Sequence, residues 1–180
     1  MPTIITHAVT AAVACAALDR GARPRRLWPM AIALAVLPDA DVISFSLGIN
    51  YGSFFGHRGF FHSIFFALVA AMAAYLLFMR RNGKLRWPAG IALLAVIASS
   101  HGLLDACTSG GCGIALLSPF DATRYFFPWT PIPVSPIGLG AFLFDDGAMV
   151  ILWEAIIVWL PLLAALVIYR NFKRPESPVQ

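Results

Sequence analysis

Histidine and carboxylate side chains are the usual holders of a divalent metal, and in this chain they stand where they are costly. The sequence has four histidines. His57 and His62 bracket the block Gly56-His57-Arg58-Gly59-Phe60-Phe61-His62-Ser63, which opens a strongly apolar segment. His7 and His101 lie at or inside other apolar segments. Pro38-Asp39-Ala40-Asp41 interrupts one apolar run, and Asp105 ends another. Ionisable groups beside this much hydrocarbon are functional candidates by default. His101 and Asp105 are four residues apart and share a face if the segment is helical. Imidazole with carboxylate suits Zn, and also Mn, Fe or Ni. A simple His101–Asp105 hydrogen bond accounts for the same spacing. His57 and His62 reach one ion if the chain bends at Gly59. Asp39 and Asp41 call for a cation or for hydrogen-bond donors. His7 is either a further ligand or an interfacial histidine.

Other groups offer catalytic roles. Asp41 or Glu154 could act as general base. Arg58 and Arg124 could stabilise an anionic transition state, since arginine grips phosphate with two parallel hydrogen bonds. Their plainer roles are headgroup contact or pairing with Asp121 or Asp39. Asp145-Asp146-Gly147 reads as a solvated turn. Cys107 and Cys112 bracket a small loop that an oxidising compartment could close as a disulfide. Cys15 is expected as a buried thiol inside the first apolar run.

The elements that must position these groups follow from hydropathy. Of 180 residues, 59% are hydrophobic and 12% charged, with mean hydropathy +0.78. Soluble domains carry about a quarter charged residues, so this composition predicts an all-α, polytopic transmembrane helix bundle. Apolar runs cover roughly residues 4–18, 27–47, 60–79, 87–104 and 148–169, which makes about five spans. Gly48–Gly59 reads as a loop. Residues 106–147 hold most of the prolines and many aromatics, and read as a long outer loop. Residues 1–170 form one transmembrane domain, and 171–180 a flexible tail. The net charge of +4 is no nucleic-acid signature, because the basic residues fall in short clusters beside apolar runs. Nor does a basic segment precede the first apolar run, as a cleaved signal peptide would require.

Eleven of the thirteen basic residues lie in the first connection, the third connection and the C-terminal tail. Five alternating spans put all three on one side, and the positive-inside rule makes that side cytoplasmic. The histidines, Asp39, Asp41, Asp105 and Glu154 then gather at the opposite, periplasmic level. That convergence predicts one polar site at the outer end of the bundle.

Pro38-Asp39-Ala40-Asp41, the block from His57 to Ser63, and Ser100-His101-Gly102-Leu103-Leu104-Asp105 followed by Thr108 and Ser118-Pro119 resemble the bacterial inner-membrane family described as membrane-bound metal-dependent hydrolases. Thr6-His7 fits too, and the resemblance runs to about Pro136. The family's usual form has Thr before the second histidine. Phe61 stands there in this chain, which removes a hydroxyl contact but no ligand. The resemblance implies a divalent metal site and hydrolase activity, without fixing a substrate.

The functional expectation is therefore an inner-membrane metal-dependent hydrolase. Its ion, with Zn the first choice and Mn or Fe as alternatives, would be drawn from His57, His62, His101, Asp105, Asp39 and His7, and would supply an activated water. More ligands than one ion needs suggests a second metal or carboxylates that orient the histidines. A site at headgroup level with two arginines points to a phosphoester of a lipid or lipid-linked molecule. Two other readings use the same residues: a divalent-cation binding or transport site, and a structural membrane protein whose histidines and acids satisfy one another. Transport favours polar groups near the midplane, and these gather at one face.

Overall fold

The computed structural model describes the 180-residue chain except for residues 20, 22, 23, 83, 84, 137, 145 and 174–180. Asp145 of the expected turn and most of the expected tail lie outside the described residues. The fold is an all-α bundle of apolar helices. Helix α1 is Ile4–Ala17 and is started by Thr3, whose hydroxyl accepts from the Thr6 N–H. Helix α2, Leu27–Ser46, is continuous but not uniform. Its central stretch Leu37–Val42 is wound as a 3-10 helix with Pro38 at its start. Helix α3 is Ile64–Met79 and ends in a π-helical turn, Tyr75–Met79. Helix α4 is Trp87–Ala106, with Pro88 in its first turn where a missing N–H costs nothing. A short helix α5, Leu139–Phe144, precedes α6, Gly147–Phe172, which carries a π turn at Ala155–Trp159 just before Pro161.

The expected apolar runs thus appear as helices, and α2, α4 and α6 are each long and apolar enough to cross a membrane. Helices α1 and α3 are shorter apolar helices. The third run does not start as a helix at Phe60. Phe60–His62 forms a single 3-10 turn, and Ser63 then caps α3 by accepting from the Phe66 N–H at 3.0 Å.

Packing between the helices relies on small side chains. Ala11 and Cys15 of α1, Ala31 and Ala35 of α2, Ala67, Ala71 and Ala74 of α3, and Ala95 and Ala98 of α4 are buried together. Small residues let helix backbones approach closely where lipid offers no hydrophobic drive. Leu76, Leu77, Val96, Leu152, Leu160 and Val167 point outward. Helix α6 packs on α1 and leaves most of its surface outward.

The segment between α4 and α5 has no long regular element. Two isolated β-bridges, Thr108 with Ile132 and Ile114 with Tyr125, fold it back on itself. It is sewn to the rest by Ala115 N–H to Arg58 O, Ile64 N–H to Leu116 O and Ser135 N–H to Met1 O. Those bonds satisfy backbone groups that irregular structure would otherwise leave unpaired. Cys107 and Cys112 are free thiols, so the small disulfide loop is not formed in this structure. The Cys107 backbone is instead bonded to Ile132. Burial pushes the Cys107 thiol up, which disfavours the thiolate that a metal would need.

Candidate metal centre

All four histidines, Asp39, Asp41, Asp105 and Arg58 are buried, and they meet at one end of the bundle. Helix α1 delivers His7, the 3-10 stretch of α2 delivers Asp39 and Asp41, the loop before α3 delivers His57, Arg58 and His62, and the last turns of α4 deliver His101 and Asp105. His7 and His101 stack at 3.8 Å between ring centroids, and His62 stands edge-on to His101 at 4.7 Å.

Two kinds of contact occur within the cluster. The first is ordinary hydrogen bonding. His57 Nδ1 lies 2.5 Å from Asp41 Oδ1, Arg58 N–H donates to Asp41 Oδ2 at 3.1 Å, and His101 Nδ1 is 2.7 Å from the Ala35 carbonyl. The second is looser. His7 Nε2 is 3.4 Å from Asp105 Oδ1, His62 Nε2 is 3.5 Å from Asp105 Oδ2, and His101 Nε2 is 3.5 Å from Asp39 Oδ1. None of these atoms has a hydrogen-bond partner among the described residues, although all are buried. A charge-assisted pair closes to about 2.7–2.9 Å. Ligand atoms about 2.0–2.2 Å from a tetrahedral ion lie roughly 3.3–3.5 Å from one another. The looser set matches the second spacing.

Charge points the same way. Three carboxylates, Asp39, Asp41 and Asp105, face one obligate cation, Arg58, which leaves two negative charges for a divalent ion to balance. Three groups have ligand atoms all within 4.8 Å of one another: His7, His101 and Asp105; Asp39, His62 and His101; and Asp41, His57 and His62. The residues therefore fit a divalent metal. The first two groups share His101 and are built of residues with unpartnered atoms, whereas the third combines the unpartnered His62 with the short His57–Asp41 bond.

The local fold explains these positions. A switch from α to 3-10 winding leaves a carbonyl over, and the Ala35 carbonyl accepts from His101 Nδ1, so the lone pair of His101 Nε2 faces the cluster. A Cβ on Gly102 would come within 2.4 Å of the His62 carbonyl oxygen, so only glycine lets α4 pass this close. Arg58 has φ 60. Its terminal nitrogens donate to Gly110 O at 2.6 Å and Thr108 Oγ1 at 3.0 Å, and its Nε lies 3.5 Å from Asp105 Oδ2.

The remaining expected residues stand apart from this cluster. Arg124 donates to the carbonyls of His57, Tyr51, Ser53 and Gly113, tying the histidine loop to the segment beyond α4. Both oxygens of Glu154 accept from the α1 start: Thr3 N–H, Thr3 Oγ1 and Thr6 Oγ1. Trp159 of the π turn donates to Thr6 Oγ1 at 2.7 Å. Phe61 packs on Phe66 at 5.2 Å within an aromatic cluster. Sequence reasoning did not anticipate Gly102, the Ala35 carbonyl, the buried Ser44 or the Thr3–Glu154 lock. Only Gly102 left a signal, as the glycine inside the His101–Asp105 spacing.

An apolar helix bundle with a buried histidine–carboxylate centre defines a membrane protein able to chelate a divalent metal. The chain belongs to the family of the YdjM inner membrane protein, whose model matches residues 1–173. It is 44% identical over 166 residues to the inner membrane protein YbcI of Escherichia coli (strain K12), covering 89% of this chain and 92% of that one. No solved structure matches the chain. Family and apolar helices together make it a multi-pass protein of the bacterial inner membrane.

Proposed function

We propose that the protein is a metal-dependent hydrolase of the inner membrane. The observation that carries this reading is the set of buried, unpartnered histidine and carboxylate atoms at 3.4–3.5 Å, too far apart for proton sharing and right for a common ion. Its ligands would be drawn from His7, His62, His101, Asp39 and Asp105, which form two overlapping triads, with Zn favoured and Mn or Fe as alternatives. When bound, the ion supplies a Lewis acid and a water acidic enough to attack near neutral pH.

The chain's own residues do the rest. Asp41 orients His57 through its Nδ1 atom at 2.5 Å, which directs the His57 Nε2 away from it, and lies 3.1 Å from the His62 Nδ1. The His57–Asp41 pair suits a general acid–base role, with the proton carried at His57 Nε2. Arg58 keeps a positive charge 3.5 Å from Asp105, and Arg124 braces the His57 backbone. With their terminal nitrogens already engaged, anionic charge on a substrate falls mainly to the metal. Glu154 fixes the start of α1 and with it His7.

The charge pattern supports a site facing the periplasm and a cytoplasmic C-terminus, with five spans. A substrate at that level is a phosphoester of a lipid or a lipid-linked molecule. Elemental analysis of the detergent-purified protein tests the core of this reading. Near-stoichiometric Zn, Mn or Fe in the wild type, lost in His62→Ala and His101→Ala while helical content persists, is the expected result. A wild type that binds no divalent metal even after reconstitution would refute it. A reporter fused after Lys173 should be active only in the cytoplasm, and periplasmic activity would reverse the orientation.

A further inference from the structure

Asp39 is the one residue of the metal cluster that also lines two neighbouring cavities among the described residues. The first is a trough of about 850 Å3 between α1 and α2. Ala8, Ala12, Ala33 and Ala40 keep it open, Ile4 and Ile32 wall it, and Asp39 is its only ionisable lining residue. The second, of about 520 Å3, lies beyond Ile4 and Ile5. It is bordered by Thr3, Ser135 and Pro136 and again by Asp39. The two share Ile4, Ile5 and Asp39, so they meet at that carboxylate. Asp39 is 8% exposed and neither oxygen has a hydrogen-bond partner. A bare carboxylate at the end of a hydrocarbon trough is expensive unless a ligand or ion completes it.

The shape is asymmetric in a useful way. From Ile4 to Ala12 the α1 wall rises about 12 Å, close to the ~15 Å hydrocarbon depth of one leaflet. The other cavity offers a hydroxyl and backbone at the level of the histidines. We propose that the trough holds one hydrocarbon chain of a membrane lipid, with the head-to-chain junction of that lipid resting at Asp39. The lipid reaches the site sideways from the bilayer, and the bond presented to the cluster is the phosphoester of its head: water would add its oxygen to phosphorus, the P–O bond to the lipid alcohol would break, and that oxygen would leave carrying a proton from the water. The reaction part rests on the hydrolase reading, whereas the binding part does not.

Photolabelling separates the two. The purified protein is reconstituted in vesicles containing a phospholipid with a diazirine on its acyl chain, irradiated, and mapped by peptide mass spectrometry. Adducts should concentrate on residues 4–12 and 32–40 over the outward face of α6. Ala12→Trp fills the trough and should cut those adducts about tenfold, equivalent to a loss of about 1.4 kcal/mol in occupancy, with α6 adducts and metal content unchanged. Ala33→Trp, on the opposite wall, should do the same and covers the case in which Ala12→Trp fails to fold. Labelling spread evenly over outward surfaces, or unaltered by both tryptophans, would overturn the proposal. Trough labelling in a protein that binds no metal would retain the lipid site and reject the hydrolase.

Discussion

His101 puts its two ring nitrogens to different uses. Nδ1 is committed to the Ala35 carbonyl at 2.7 Å, so Nε2 is left with its lone pair toward Asp39 and the cluster. Asp41 performs the same service for His57. Because it bonds His57 Nδ1 and the Arg58 N–H instead of joining the unpartnered set, Asp41→Asn should retain a metal site of weakened affinity. Loss of such an orienting carboxylate typically costs about 10–100-fold, and metal titration followed by a competing chelator measures it. Asp39→Asn should lose more, since Asp39 belongs to the unpartnered set. Equal losses in the two variants would merge their roles. The candidate ligands were legible in the sequence because ionisable groups beside hydrocarbon stand out against it. The split between unpartnered and hydrogen-bonded members of the cluster was not. A backbone carbonyl such as that of Ala35 has no residue-type signature, and the spacing of His57 and His62 cannot say which nitrogen faces inward. Glu154 was visible as a polar group within an apolar run, but its partners Thr3 and Thr6 lie about 150 positions away in the chain.

At the level of elements, the site depends on two helices departing from ideal form. Helix α2 rewinds as 3-10 over Leu37–Val42, which brings Asp39 and Asp41 to the cluster two residues apart. Helix α4 keeps a glycine where the His62 carbonyl crosses it. Gly102→Ala would place a methyl group 2.4 Å from that carbonyl oxygen, which is backbone and cannot swing away. Overpacking of this kind costs about 1–3 kcal/mol. Thermal unfolding in detergent should therefore show a lowered Tm, and because His62 is displaced with its carbonyl, bound metal should fall as well. An unchanged Tm with full metal would mean the two backbones part freely. Hydropathy found the helices because a run of apolar side chains is a local property. It placed the start of α3 at Phe60 because phenylalanines read as span, whereas the Ser63 hydroxyl caps the helix three residues later. The segment beyond α4 could not be resolved from its prolines alone, since its structure comes from bridges to distant partners such as Tyr125 and Ile132.

The whole molecule combines helices of very unequal reach. Helix α1 has 14 residues and α6 has 26. They rise about 21 Å and 39 Å against a hydrocarbon core of about 30 Å. One is too short for the bilayer and the other too long. The long helix can tilt, whereas a span as short as α1 is met by thinning of the bilayer, by snorkelling of flanking side chains or by association with a neighbour. Thinning at the α1–α2 face would fall where the trough opens beside Asp39. Hydrophobic mismatch would then become part of how the proposed lipid site is reached, since a thinned leaflet would bring headgroups down toward Asp39. In vesicles of graded acyl length, trough labelling should be strongest in short-chain lipid and decline as the bilayer thickens. A flat response would separate the depth of the site from the thickness of the membrane around it.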